Sequence, residues 1–193
     1  MNLPNKLTLF RIVLIPLFLV FINFDTQISI FGALITFIVA SITDQLDGYI
    51  ARKYNLISDF GKFMDPLADK LLVSAAFISF IELGLISAVP VIIIIFREFI
   101  ITGIRLVLSS KGGKVIAANI YGKFKTVFQI LAVVFILLEL YLSRVEILSI
   151  HSYSIINYIS FIAEITFYIC VIFTILSGID YIVKNFKSLK EIL

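Results

Sequence analysis

The sequence predicts an all-α integral membrane bundle of six transmembrane helices with both termini in the cytoplasm, and three observations carry that expectation. Of 193 residues, 61% are hydrophobic and only 15% charged, with a mean hydropathy of +1.10, a balance that no soluble globular domain tolerates. The apolar residues gather into six segments near the length of about 20 that a bilayer crossing requires. Lys and Arg cluster on alternate connections. The connections are short and no linker, repeat or low-complexity stretch divides the chain, so residues 1–193 read as one membrane domain.

Each segment can be taken in turn. The first, near residues 7–24, carries Arg11 close to its start and lacks a small-residue cleavage site, so it is not expected to be a removable signal peptide. The second, near 29–50, is apolar until Asp44 and Asp47. The third, near 62–82, opens among Lys62, Asp65 and Asp69, and its Pro66 either sits in a first helical turn or kinks the segment. The fourth, near 87–109, contains Arg97, Glu98 and Arg105. The fifth, near 122–142, begins with Gly122, Lys123, Phe124, Lys125 and Thr126. The last, near 153–182, is long and is expected to break or to protrude.

Orientation follows from Lys6, Arg52, Lys53, Lys62, Lys111, Lys114, Lys123, Lys184, Lys187 and Lys190, which fall at the N-terminus, in the second and fourth connections and in the tail. The opposite loops offer Arg144. A multi-pass protein of the cell membrane results, its acid-rich second connection open to the cytoplasm. The net charge of +3 is a topology signal, suited to an anionic lipid surface and not to nucleic acid. Cys170, the sole cysteine, excludes an internal disulfide and reads as a small core residue. His151, the sole histidine, is expected in the outward-facing fifth loop, so His-based triads and His-rich zinc sites have nothing to build on.

The chemistry concentrates between Asp44 and Asp69, where the chain reads D-x2-D-G-x2-A-R-x8-G-x3-D-x3-D. An aspartate at the centre of a membrane helix costs roughly 2.5 to 3.5 kcal/mol on insertion scales, so four of them need partners. Asp44 and Asp47 are i, i+3, and Asp65 and Asp69 are i, i+4, so each pair shares one helix face. Two facing pairs of carboxylates form a cage for hard divalent cations such as Mg2+, Mn2+ or Ca2+. Gly48 and Gly61 allow a ligand or backbone to approach closely, and Arg52 can donate a fork of hydrogen bonds to phosphate.

This run resembles the complete signature of the CDP-alcohol phosphatidyltransferase family, with all eight fixed positions matched. The opening N2-L-P-N5-K-L-T8-L-F-R11 and the later G122-K123-F-K125-T126 with Gln129 are similar to the branch of that family whose acceptor is glycerol phosphate. The resemblance implies a six-helix membrane enzyme, commonly a homodimer and here of bacterial origin, that moves a phosphatidyl group from a CDP-linked lipid to an alcohol and releases CMP. It implies two divalent cations, Mg2+ or Mn2+, held by Asp44, Asp47, Asp65 and Asp69, with Asp69 as general base. It also implies that Leu3, Pro4, Asn5, Lys6, Gly48, Arg52 and Ser58 help hold CDP-diacylglycerol; Ser58 is equally suited to cap the third helix.

The acceptor is argued from the remaining cations. Arg97 deep in an apolar segment is costly unless it meets an anion or lines a wet cavity, and Arg105, Lys123 and Lys125 could join it around a second phosphate. The competing reading is pairing within the helix, since Glu98 and Arg105 are seven apart, together with snorkelling. The phosphate reading leads to sn-glycerol 3-phosphate as acceptor. Inositol phosphate, serine or a phospholipid are the alternatives within the family. A divalent-cation carrier is the alternative from another class, although a carrier is expected to place its acids near the midplane and to show inverted repeats.

Overall fold

The structure is a computed structural model that describes residues 3–24, 26–54, 59–110, 120–145 and 150–190. Among these residues all regular structure is helical, in six helices: α1 (Leu3–Asn23), α2 (Gln27–Lys53), α3 (Asp59–Glu82), α4 (Ala88–Ser110), α5 (Ile120–Ser143) and α6 (Ile150–Lys190). Every expected segment lies on one of them. The helices overrun the apolar runs, most of all at the ends of the chain, because polar residues that leave the hydrocarbon can continue the hydrogen-bond ladder.

Among the described residues, four stretches are long and apolar enough to cross a membrane: Asn5–Asn23, Gln27–Asp44, Ile120–Ser143 and Ser154–Phe186. The protein is therefore a membrane protein. Helices α3 and α4 fall short for a compositional reason: any 18-residue stretch of α3 holds Asp65, Asp69 and Lys70, and any such stretch of α4 holds Arg97, Glu98 and Arg105. Helix α6 runs unbroken for 41 residues, roughly 60 Å at the helical rise, or about twice the thickness of the hydrocarbon core, so of the two expected alternatives it protrudes and does not break. Because α6 starts at Ile150, His151 sits in its first turn and not in the preceding loop. Pro66 lies in the second turn of α3, and the helix continues through it.

The chain separates into two compact units, residues 1–86 with 133–163 and residues 87–132 with 164–193. In the first, α1 packs on α2 and α3, and α2 touches α3. Leu14, Phe18 and Ile22 recur every four residues along α1 and are buried, and the Phe18 ring meets Phe37 of α2 at 6.2 Å between centroids. Thr26 caps α2 by accepting from the Ser29 amide at 3.2 Å. Near that end, Gln27 donates to the Tyr141 hydroxyl at 3.2 Å. Helix α3 stops at a glycine turn: Gly84 takes φ +71°, its amide donates to Ile81 O and the Leu85 amide to Phe80 O, the pattern that satisfies the last carbonyls of a helix.

In the second unit, Phe124 and Phe128 of α5 stack on Phe173 of α6 at 5.5 and 5.7 Å. Val91, Ile94 and Ile101 of α4 and Phe167 and Val171 of α6 are buried. Cys170 is wholly buried in α6 as a core residue, with its carbonyl accepting from the Thr174 hydroxyl at 2.7 Å. Large apolar side chains such as Val13, Val89, Phe96, Ile172 and Val183 point outward, as lipid contact requires.

Candidate active site

The first group of polar side chains grows from α1. Asn5, Thr8 and Arg11 are spaced three apart, so they share a helix face, and all three are buried. Arg11 is 0% exposed and its Nη1 lies 2.9 Å from Oδ1 of Asp44, whose side chain remains 36% exposed. The guanidinium thus reaches from α1 to the first carboxylate of the acid run. Arg11 is the participant that sequence reasoning missed. It stood in the opening motif, and the three-residue polar period from Asn5 marks the face of α1 it shares with Asn5 and Thr8, though not the helix which that face meets.

The four acids are symmetric about the connection from α2 to α3. Asp44 and Asp47 stand nine and six residues before Lys53, and Asp65 and Asp69 stand six and ten after Asp59. Counted along each helix, the inner pair lies about 9 Å and the outer pair about 14 to 15 Å from the helix ends. Asp69 is 44% exposed, with Lys70 Nζ at 3.8 Å, too loose a pair to hold its carboxylate. The side chains of Pro4, Asp47, Arg52 and Asp65, and all of Ser58, lie outside the described residues. Among the described residues no group of three metal-ligating side chains occurs; the expected cage needs Asp47 and Asp65. The donor set itself fits a hard cation: carboxylate oxygens, with Asp44 and Asp69 both partly open to solvent. Gly61 is buried, Gly48 is half-buried, and Leu3 and Lys6 are exposed.

The second group belongs to the other unit. Glu98 of α4 accepts from Arg97 Nη1 at 3.0 Å and also pairs closely with Lys125 of α5. Lys125 is buried and Arg97 half-buried. Among the described residues these pairs set one acid against two cations, a net positive charge, and a cation in an apolar helix calls for such a partner. Gly178 of α6 makes room for the arrangement: a Cβ there would stand 3.3 Å from Arg97 Cγ. Arg105 does not pair with Glu98 as its sevenfold spacing allowed; its guanidinium carbon lies 5.9 Å from the centre of the Tyr181 ring. Lys123 is exposed at the start of α5, as snorkelling predicts. The structure thus joins Arg97 to Lys125 through Glu98, and carries Arg105 to Tyr181.

Comparison with known proteins adds an independent line. The family model described as CDP-alcohol phosphatidyltransferase matches residues 1–177. A Bacillus subtilis (strain 168) protein named CDP-diacylglycerol–glycerol-3-phosphate 3-phosphatidyltransferase is 45% identical, over 98% of this chain and 97% of its own. Proteins of the same name are 36% identical in Rickettsia bellii, over 98% and 96% of the two chains, and 37% identical in Haemophilus influenzae, over 94% and 91%.

Proposed function

The chain belongs to the CDP-alcohol phosphatidyltransferase family, and from that premise we propose that it transfers the phosphatidyl group of CDP-diacylglycerol to sn-glycerol 3-phosphate, giving phosphatidylglycerol phosphate and CMP. The observation that carries this reading is similarity over nearly the whole length to relatives named for that reaction. Membership of an enzyme family sets the cation-carrier alternative aside. Residues 1–193 act as one catalytic domain, crossing the cell membrane six times with the acid run on the cytoplasmic side, and two copies form a homodimer.

In the reaction an acceptor hydroxyl oxygen bonds to the lipid-side phosphorus of the pyrophosphate, the anhydride bond breaks, and CMP departs with its electron pair. Asp69, open to solvent and only loosely paired, takes the hydroxyl proton. Asp44, Asp47, Asp65 and Asp69 would hold two divalent cations, Mg2+ or Mn2+, which when bound supply positive charge to the pyrophosphate oxygens. Arg11 holds Asp44 in place from α1. Four carboxylates and two divalent cations cancel, so Arg11 leaves the filled site about one positive charge in excess, a favourable setting for an anionic pyrophosphate. Arg52 donates to that pyrophosphate, and Leu3, Pro4, Asn5, Lys6, Gly48 and Ser58 complete the CDP-lipid site. Arg97, Arg105, Lys123 and Lys125 receive the acceptor's phosphate.

The test is an acceptor panel with purified protein, CDP-diacylglycerol and Mg2+, reading CMP release. Glycerol 3-phosphate is expected to be turned over far faster than glycerol, serine, inositol phosphate or a phospholipid, and EDTA to abolish the reaction until Mg2+ or Mn2+ is restored. Zn2+ is expected to substitute poorly, because the donor set lacks nitrogen and sulfur. Serine or glycerol performing as well as glycerol 3-phosphate would overturn the acceptor, and full activity in chelator would overturn the metal-dependent reading.

A further inference from the structure

Within the second unit, one face of α6 is polar and buried along about three turns: Thr174, Ser177, Tyr181 and Asn185. The first two satisfy themselves, since the Thr174 hydroxyl donates to Cys170 O and the Ser177 hydroxyl to Thr174 O at 3.0 Å. The last two do not. Asn185, 1% exposed, donates its Nδ2 to Tyr181 O at 2.8 Å, which fixes the amide and leaves Oδ1 buried with no hydrogen-bond partner. Tyr181, 7% exposed, has its hydroxyl buried and equally without one. Buried polar atoms are nearly always hydrogen-bonded, so two on adjacent turns of one face require a ligand or an ordered solvent.

Their neighbours narrow the chemistry. The Tyr181 ring lies under the Arg105 guanidinium, and one turn back Gly178 abuts Arg97, whose Nε is also buried without a partner. A ligand at these atoms would meet cations beside an atom that only accepts and a hydroxyl that both donates and accepts. A fully ionised phosphate group has no donor for Asn185 Oδ1. A phosphorylated polyol has both parts: an anion for the arginines and a hydroxyl for Asn185 and Tyr181.

We propose that Tyr181 and Asn185 bind the secondary hydroxyl of the phosphorylated acceptor and so determine its specificity; this rests on glycerol 3-phosphate being the acceptor. The secondary hydroxyl is the one left to bind because the primary hydroxyl is the less hindered nucleophile and is consumed in the transfer. A site built to hydrogen-bond a substrate hydroxyl rejects the analogue lacking it, since its own polar atoms are then left buried and unpaired.

The experiment compares kcat/KM for CMP release with glycerol 3-phosphate and with 3-hydroxypropyl phosphate, which keeps the phosphate and the primary hydroxyl and lacks the secondary one. The parent protein is expected to prefer glycerol 3-phosphate by at least about 100-fold. Tyr181→Phe, which keeps the ring under Arg105, and Asn185→Leu are each expected to reduce that preference at least about tenfold, by slowing glycerol 3-phosphate while the analogue stays within about threefold of the parent. Lys125→Met should slow both and leave the ratio unchanged. A parent that uses both acceptors equally, or Tyr181→Phe and Asn185→Leu variants that keep the parental ratio, would overturn the proposal while the transferase reading stands; those atoms would then be served by water. A parent that releases CMP with another alcohol and not with glycerol 3-phosphate would remove the acceptor assignment and this proposal together.

Discussion

The ion pair between Arg11 and Asp44 separates two roles that a single activity assay would merge. Replacing Asp44 by Asn removes a carboxylate from the acid run and also the anion beside a fully buried guanidinium. Truncating one partner of a fully buried pair costs roughly 3 to 5 kcal/mol, and the partial exposure of Asp44 lowers that to about 1 to 3. Asp69→Asn removes an equally important carboxylate whose cationic neighbour sits at 3.8 Å and which is 44% exposed. Both variants are expected to lose most turnover, but only Asp44→Asn should unfold earlier when heated in detergent without metal. Equal melting of the two would show that Arg11 is held by its other contacts. Lys125→Met addresses the acceptor in the same way. It is expected to raise the KM for glycerol 3-phosphate tenfold to a hundredfold, the value of a charge-assisted contact of about 1.5 to 3 kcal/mol, while the KM for CDP-diacylglycerol holds. Equal loss of both substrates would make Lys125 a structural partner of Glu98 alone. At this scale the acid run was legible because spacing along a helix fixes which carboxylates share a face. Arg11 meeting Asp44 and Lys125 meeting Glu98 were not, because each joins residues on different helices, and single-chain periodicity carries no information about which neighbour a face meets.

Between residues and the whole stand the helices, and their ends and crossings depend on two glycines. Gly84 closes α3 with φ +71°, a conformation that costs an L side chain roughly 1 to 2 kcal/mol, so Gly84→Val should lower thermal stability by about that amount without altering either KM. Gly178 has an ordinary conformation but touches Arg97. Gly178→Val is therefore expected to displace the Arg97 stem and raise the KM for glycerol 3-phosphate, and the contrast between the two variants is the test. Should Gly178→Val melt early yet keep both KM values, Arg97 has no part in acceptor binding. The six helices themselves were readable as apolar runs, within a few residues at the inner boundaries. What escaped was the extent of α6, since the polar tail after residue 182 shows no hydrophobic period to follow, and the start of that helix before His151. Helices α3 and α4 sit at the limit of legibility. Their apolar character is diluted by the very charges that give them chemistry.

For the molecule as a whole the decisive quantity is the distribution of positive charge relative to the apolar helices. Four helices qualify as crossings on composition, and α3 and α4 have the length to cross but carry acids and arginines. Two arrangements follow. If all six cross, the N-terminus, the connections after Lys53 and Ser110 and the C-terminal tail lie on one side, and the connection around Arg144 lies on the other; the basic residues then obey the positive-inside bias almost completely. If α3 and α4 lie in the interface instead, Lys53 and Lys114 still share a side, yet the loop between Glu82 and Ala88 does not reach the opposite face. Single cysteines answer this directly, because the native Cys170 is fully buried and gives a quiet background. Cysteines placed at Lys53 and Lys114 should label from one side of sealed vesicles, and cysteines at Gly84 and Arg144 from the other. Labelling of Gly84 together with Lys53 would reject the six-crossing arrangement. The energetic case favours it, since Glu98 offsets Arg97 and Lys125 inside the second unit, while the acids of α3 are confined to its first eleven residues and leave the rest apolar up to Glu82. A helix charged at one end and apolar at the other crosses with its charged end at the interface, where an aspartate costs far less than at the midplane.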